Sequence, residues 1–255
     1  MNAACLPSGS VGLGCACEAI SGRNGMKTIA IIGAMDEEVT LIAGSLNDVE
    51  HDAMASLDVN RGTLETRSGE RIRVVATVGG MGLVNAAATT QFLIDRYDPC
   101  AVIFSGIAGS LNKSMHINDV VLGGTLRYLD SDMRLIAQWK PQTEEFHGDA
   151  RLLEVASAAL DDAGINHIVG TIASGNYFVD TPQKVADVAA NTHADAVEME
   201  GAAVAHVAAR NDVPSLVIRA LSDNADTEYE EFRDFDVSEY ADTAARLAVD
   251  IVTRL

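Results

Sequence analysis

Short apolar runs alternate with amphipathic stretches along most of the chain. Apolar runs that end in small residues predict buried strands, and apolar positions three and four residues apart predict helices. The pattern predicts strands at 28–32, 101–105, 119–125, 167–174 and 214–221. It predicts helices at 36–46, 83–97, 149–163, 181–190, 201–208 and 237–255. The alternating segments 59–68 and 71–78 flank Ser68-Gly69 and are typical of a β-hairpin.

The order of these elements predicts the fold class. Strands interleaved with helices form a mostly parallel or mixed sheet that helices cover on both faces. We therefore expect an α/β fold, a three-layer α/β/α sandwich with a central mixed sheet, and 255 residues suit one domain of this kind. Residues 1–25 lack the periodic pattern and also lack the basic and apolar regions of a signal peptide. We expect residues 1–25 to be a disordered extension and 26–255 to be a single domain.

Charge and cysteine usage narrow the range of partners. The chain has 37 acidic against 18 basic residues and a formal net charge of −19, which argues against nucleic acid and anionic membrane surfaces. No stretch approaches the roughly 20 apolar residues needed to cross a bilayer. Cys100 is expected to be a buried apolar residue, and the cysteine usage fits a reducing, cytoplasmic compartment. The histidines show no metal-ligand spacing, so we expect no metal and no cofactor.

Candidate chemistry lies where the predicted strands end, because ligands bind beyond the carboxyl ends of strands in such sheets. Carboxylates, small residues and methionines cluster there, in the segments 33–38, 79–82, 105–109, 174–178, 198–200 and 221–226. Glu198 and Glu200 alternate as in a strand, so both could face one cleft and accept hydrogen bonds from sugar hydroxyls. A helix start is the alternative for that segment and for residues 36–38, because carboxylates are favoured at helix N-termini.

The same strand ends bear on phosphate binding. Ile107 follows Ser105-Gly106 at a position where a hydroxyl would help to bind phosphate, and these segments contain no arginine. Both features disfavour a phosphate subsite.

Three motifs occur in a characteristic order: Ile31-Ile32-Gly33-Ala34-Met35-Asp36-Glu37-Glu38-Val39, Val197-Glu198-Met199-Glu200-Gly201-Ala202-Ala203-Val204-Ala205-His206, and Arg219-Ala220-Leu221-Ser222-Asp223-Asn224-Ala225-Asp226. Through them the chain resembles the 5′-methylthioadenosine/S-adenosylhomocysteine nucleosidases of the purine nucleoside phosphorylase superfamily, over nearly all of 26–255. The resemblance implies a nucleoside phosphorylase-like fold, a small-molecule nucleoside substrate and a homodimer. It also implies hydrolysis of the N-glycosidic bond with release of adenine.

The resemblance also implies roles for individual residues. Glu38 matches the carboxylate that activates water, Asp223 matches the acid that protonates N7 of adenine, and Ser222 helps to place that acid. This division of labour suits glycosidic cleavage, which needs one acid at the leaving group and one carboxylate at the water.

The remaining candidate residues are expected to bind the substrate. Glu200 matches the acceptor of the ribose hydroxyls, Phe178 would stack on adenine, and the backbone of Val179 would read the purine edge. The other predicted contacts lie around the sugar, the 5′ substituent and the base: Ala34, Met81, Ile107, Ala108, Gly109, Glu198 and Met199.

Several positions depart from the family pattern and leave the 5′ specificity open. Asn176 stands where aspartate is usual, Ile107 replaces a small hydroxyl residue, and Ser110 replaces a glycine. The segment 127–147 differs from the usual loop near the 5′ end, and 228–236 is unusually acidic. The alternative functions are a nucleosidase for a futalosine-type nucleoside or 5′-deoxyadenosine, a purine nucleoside phosphorylase, and a non-catalytic nucleoside-binding protein.

Overall fold

A computed structural model describes residues 26–223, 225 and 236–255 of the chain. The predicted N-terminal extension, residues 1–25, and nearly all of the acidic segment 228–236 lie outside the described residues.

Ten strands of the described residues form one mixed sheet. They are β1 (Thr28–Gly33), β2 (Asn47–Met54), β3 (Leu57–Glu65), β4 (Arg71–Val78), β5 (Ala101–Ser110), β6 (Val120–Tyr128), β7 (Phe146–His147), β8 (His167–Ser174), β9 (Ala196–Glu198) and β10 (Ser215–Asp223).

One half of the sheet is open and the other half closes on itself. The open half runs β2-β3-β4-β1-β5. From β5 the sheet continues through β9, β8, β6 and β10, and β10 pairs again with β5, in parallel. Because β4, β1, β5 and β10 are parallel neighbours, their carboxyl ends lie together at one edge.

Seven helices cover the sheet in the described part of the chain. They are α1 (Asp36–Gly44), α2 (Leu83–Tyr97), α3 (Met133–Ile136), α4 (Ala150–Ala163), α5 (Pro182–Thr192), α6 (Gly201–Arg210) and α7 (Ser238–Arg254). The buried side chains of α1, α4 and α7 share one core with one face of the sheet, and those of α2 and α6 share a second core with the other face. The predicted three-layer α/β/α sandwich with a mixed central sheet is therefore confirmed.

The burial pattern explains why these segments form the centre. All six residues of β1 are buried, as expected for a strand covered on both faces. Cys100 is 2% exposed and packs in the core beneath the first helical layer, as the sequence predicted. None of the described helices is long and apolar enough to cross a membrane.

Most predicted bounds agree with the structure, and of two notable differences the first bears on the site. Strand β5 continues to Ser110 instead of ending at 105, which carries Gly106 and Ile107 into the sheet. Strand β2 was missed because seven of its eight residues are exposed and it is largely polar, so it lacks the pattern of a buried strand.

Candidate active site

A cavity of about 340 Å³ opens at the carboxyl ends of the parallel strands. Every candidate residue from the sequence lines it: Ala34, Glu38, Met81, Ile107, Ala108, Gly109, Phe178, Val179, Glu198, Met199, Glu200, Ser222 and Asp223. The sequence did not propose four further lining residues as ligands: Met35, Asn176, Tyr177 and Val197. The roles assigned to these residues stay predictions at this point.

Glu38 lies in the first turn of α1 and turns its carboxylate back towards β1. Its Oε2 accepts hydrogen bonds from the amides of Ala34 at 2.5 Å and Met35 at 3.2 Å, and its Oε1 accepts one from Ile107 at 3.1 Å. The residue is 2% exposed. Burial raises the pKa of Glu38, while the charge of Arg219 and the three amides oppose that rise. A helix start and a cavity position, the two alternatives for this segment, are thus combined in one residue.

Glu198 ends β9 and directs its carboxylate at the start of α6. Its oxygens accept from the amide of Glu200 at 3.0 Å and from the amide of Gly201 at 3.0 and 2.8 Å. They also accept from the hydroxyl of Ser174 and from Nη2 of Arg219. The residue therefore caps a helix N-terminus, where a negative charge is stabilised.

Glu200 immediately precedes α6, and fewer protein groups bind its carboxylate. Oε1 accepts from the amide of Gly82 at 2.7 Å, and Oε2 lies 3.4 Å from Nη2 of Arg219. Burial, reinforced by the charge of Glu198, raises the pKa of Glu200 to about 8, although Arg219 acts in the opposite direction.

Arg219 lies beneath the cavity; it begins the third motif, but the sequence reasoning gave it no role in the site. It is 0% exposed, and its guanidinium carbon lies 4.3 Å from the ring centroid of Phe104. Its Nη2 pairs with Glu198 and Glu200, whereas Nε and Nη1 have no hydrogen-bond partner among the described residues. It received no role because it lies inside β10, two residues before the searched segment 221–226. A charged residue within an otherwise apolar strand was the available signal.

Gly106 explains how Glu38 and Arg219 approach each other. A Cβ atom at this position would lie 2.3 Å from Nη1 of Arg219 and 2.3 Å from Oε1 of Glu38. The glycine therefore leaves room for a guanidinium and a carboxylate on the same side of β5.

Asp223 ends β10 on the opposite wall of the cavity. Its Oδ1 accepts from the amide of Ala225 at 2.6 Å, and its Oδ2 lies 2.8 Å from the hydroxyl of Ser222. A Cβ on Gly109 would lie 3.0 Å from Oδ1, so the neighbouring strand also leaves room for this carboxyl group. The carboxyl is held on both oxygens by neighbours along its own chain.

The rim of the cavity is tied to the start of α2. Oδ1 of Asn176 accepts from the amide of Leu83 at 3.1 Å, one residue after the amide that binds Glu200. Met81, just before these amides, is 56% exposed. Asn176 stands where aspartate is usual in the family. Its amide oxygen accepts a hydrogen bond as a carboxylate would, so the acceptor that holds α2 is retained.

Comparisons with known proteins agree with this geometry. The family model of the phosphorylase superfamily matches residues 28–254. A 5′-methylthioadenosine/S-adenosylhomocysteine nucleosidase of Bacillus velezensis is 35% identical over 89% of this chain and 99% of its own. The Neisseria meningitidis nucleosidase of that name, solved with methylthio-immucillin-A, is 31% identical, covers 90% of this chain and 100% of its own, and has a TM-score of 0.82. The futalosine hydrolase of Helicobacter pylori is 30% identical, with 90% and 99% covered and a TM-score of 0.78.

Proposed function

The chain belongs to the 5′-methylthioadenosine/S-adenosylhomocysteine nucleosidase family of the phosphorylase superfamily, and we propose that it hydrolyses the N-glycosidic bond of these two nucleosides. The products are adenine and the 5′-thio-substituted ribose, which fits a role in methionine salvage and methyl-cycle recycling. The observation that carries the proposal is that Glu38 on α1 and Asp223 at the end of β10 line one cavity together with Glu200.

The reaction needs a base at the water and an acid at the leaving group. Glu38 accepts a proton from a water molecule as the water oxygen bonds to C1′ of the sugar. The C1′–N9 bond breaks, its electron pair passes into the purine ring, and Asp223 delivers a proton to N7. Adenine leaves as a neutral molecule, and C1′ keeps the hydroxyl group from water.

Buried charges assist each step. The sugar becomes oxocarbenium-like as the bond breaks, and Glu38, Glu198 and Glu200 place acidic side chains around the cavity in which it forms. Glu200 retains acceptor positions beyond its bond to Gly82, so it binds the sugar hydroxyls. Phe178 and the methionines exclude bulk water and suit an alkylthio substituent.

The same charges favour water over phosphate as the nucleophile. Arg219 lies beneath the cavity, and its charge is shared by Glu198 and Glu200. No basic side chain of the described residues lines the cavity itself. A phosphate would therefore meet several carboxylates and the apolar side chain of Ile107.

A futalosine-type nucleoside is the second candidate substrate, since a futalosine hydrolase is among the similar structures. The charge of the cavity argues against substituents with net negative charge at the 5′ position. Methylthioadenosine has an uncharged tail, and the homocysteine tail carries balancing charges, so both are compatible with this lining.

We also propose that the protein is a cytoplasmic homodimer. Large apolar side chains are exposed at Met81, Val84 and Trp139, and a second copy of the chain would cover such side chains. Light scattering coupled to gel filtration tests this, with a dimer mass expected and a monomer mass contradicting it.

Base release from a panel of nucleosides tests the substrate assignment. The panel contains methylthioadenosine, S-adenosylhomocysteine, 5′-deoxyadenosine, adenosine and futalosine. We expect the highest kcat/KM for the first two. Preferential cleavage of futalosine would replace the assignment, and binding of these nucleosides without release of any base would show a nucleoside-binding protein.

A further inference from the structure

The carboxylate of Glu198 lines the cavity but has no acceptor position left for a ligand. A carboxylate offers about four lone-pair sites. Three backbone contacts at 2.8–3.0 Å, the hydroxyl of Ser174 and Nη2 of Arg219 already occupy them. Its side chain is 3% exposed. The sequence-based expectation that Glu198 contacts the sugar does not fit these bonds.

The carboxylate of Glu200, unlike that of Glu198, has acceptor positions left for a ligand. It shares Nη2 of Arg219 with Glu198, but its own contact with that nitrogen is long, at 3.4 Å. Its one backbone partner is the amide of Gly82 among the described residues. The arginine is thus held mainly by Glu198, and Glu200 keeps open lone pairs towards the cavity.

We propose that Glu198 is a positioning residue that does not touch the nucleoside: it holds Arg219 and the first turn of α6, and so keeps Glu200 available to the sugar hydroxyls. This proposal rests on the proposed function for the identity of the nucleoside. The arrangement of the side chains of Ser174, Glu198, Glu200 and Arg219 does not depend on that identity.

The charges around Glu200 make the idea testable. It faces Glu198 on β9, Arg219 and Asp223 on β10, Glu38 on α1 and the amide of Gly82 before α2. Replacing Glu198 by glutamine removes one negative neighbour and releases Arg219 towards Glu200. Both changes favour the ionised form of Glu200 and lower its pKa.

The decisive variant is Glu198→Gln, and Ser174→Ala is its matched control. Ser174 donates to Glu198 and accepts from the amide of Ala202 at 2.8 Å, so its loss weakens the same helix start without changing a charge. We expect the acid limb of kcat/KM for methylthioadenosine to move to lower pH by about one unit or more in Glu198→Gln. We expect it to stay in place in Ser174→Ala. If both variants lost the same amount of melting temperature and neither moved the acid limb of kcat/KM, Glu198 would only cap the helix. That result would overturn the proposal.

The double variant Glu198→Gln/Glu200→Gln tests whether Glu198 acts through Glu200 or touches the sugar itself. If it acts through Glu200, Glu198→Gln changes kcat/KM for methylthioadenosine in the parent protein but causes little further change in the Glu200→Gln background. An undiminished effect of Glu198→Gln in that background would show a contact independent of Glu200 and contradict the proposal.

A titration without substrate separates this proposal from the proposed function. Carbon-13 resonances of the glutamate carboxyl groups are followed with pH, and Glu200 is assigned by its absence in Glu200→Gln. Its midpoint should fall in Glu198→Gln. In Arg219→Gln it should rise, which gives a second test if the first variant does not fold. A midpoint that is unchanged in a folded variant would overturn the proposal even if the nucleosidase activity is confirmed.

Discussion

Asp223 is held so that one carboxyl group can serve the departing base. Ser222 and the amide of Ala225 fix its two oxygens, and the cavity wall leaves it partly accessible. In Asp223→Asn the amide keeps the size of the side chain but cannot deliver the proton. General acid catalysis is typically worth about 10²–10⁴-fold, so we expect kcat to fall by that factor. Affinity for a non-hydrolysable nucleoside analogue should be retained, as measured by calorimetry.

The control is Asp212→Asn, which alters an exposed aspartate paired with Lys140 outside the cavity and should leave kcat unchanged. Glu38→Gln should also lower kcat strongly, because glutamine cannot accept the proton of the attacking water. A substrate whose leaving group needs less protonation should partly rescue Asp223→Asn and not Glu38→Gln. Near-normal turnover by Asp223→Asn, or equal rescue of both variants, would remove Asp223 from the role of general acid.

The raised pKa of Glu200 also predicts how stability depends on pH. In the folded protein burial raises the pKa of this carboxyl group to about 8, whereas in the unfolded chain an exposed glutamate has a pKa of about 4.5. The stabilising contribution of the proton is complete below the unfolded pKa and is lost as pH rises through the folded pKa. The free energy of unfolding should therefore fall between pH 5 and 8, and the raised pKa of Glu38 acts in the same direction.

Glu200→Gln is the control for this dependence, because its amide has no proton to lose. Urea denaturation at pH 5, 6.5 and 8 should show a weaker decline in the variant than in the parent protein. The same slope in both proteins would mean that Glu200 does not titrate in this range.

At the scale of elements, the site depends on the close approach of α1, β5 and β10. Gly106 on β5 is the narrowest point, between a carboxylate from α1 and a guanidinium from β10. Gly106→Ala would force both groups apart, because its Cβ would lie 2.3 Å from each. A displacement of about 1 Å can cost 10²-fold in rate, and we expect at least that loss in kcat/KM together with a lower melting temperature.

Gly44→Ala provides a matched control for this substitution. A Cβ at Gly44, at the end of α1, meets no atom within 4 Å. Since alanine is a better helix former than glycine, this variant should keep full activity and gain up to about 1 kcal/mol of stability. Full activity in Gly106→Ala would show that the spacing of Glu38 and Arg219 is not critical.

The elements differ in how well the sequence alone predicts them. The helix at Leu83–Tyr97 has the bounds that its periodicity predicted, because its apolar face packs on the sheet. The edge strand Asn47–Met54 carried no such signal, since pairing with β3 stabilises it and not burial. The role of Arg219 escaped the sequence for a related reason: its partners Glu198 and Glu200 come from a different strand end, and only the closed sheet brings them together. The donors that fill the acceptor positions of the Glu198 carboxylate likewise come from separate elements, β8, α6 and β10.

At the scale of the molecule, the described cavity is built from residues between Ala34 and Asp223. None of its described walls needs residues 1–25, and the family model begins at residue 28. We propose that the domain is contained in 26–255. Deletion of 1–25 should therefore leave the melting temperature and kcat/KM nearly unchanged. A large loss of either in the shortened chain would place part of the functional domain before residue 26.

We propose water activated at Glu38, and not phosphate, as the nucleophile that cleaves the bond. Mass-spectrometric identification of the sugar product from methylthioadenosine, with and without inorganic phosphate, tests it most directly. We expect free 5-methylthioribose and adenine in equal amounts, at a rate that does not depend on phosphate. A 5-methylthioribose 1-phosphate product, formed at a rate that rises with phosphate, would contradict it.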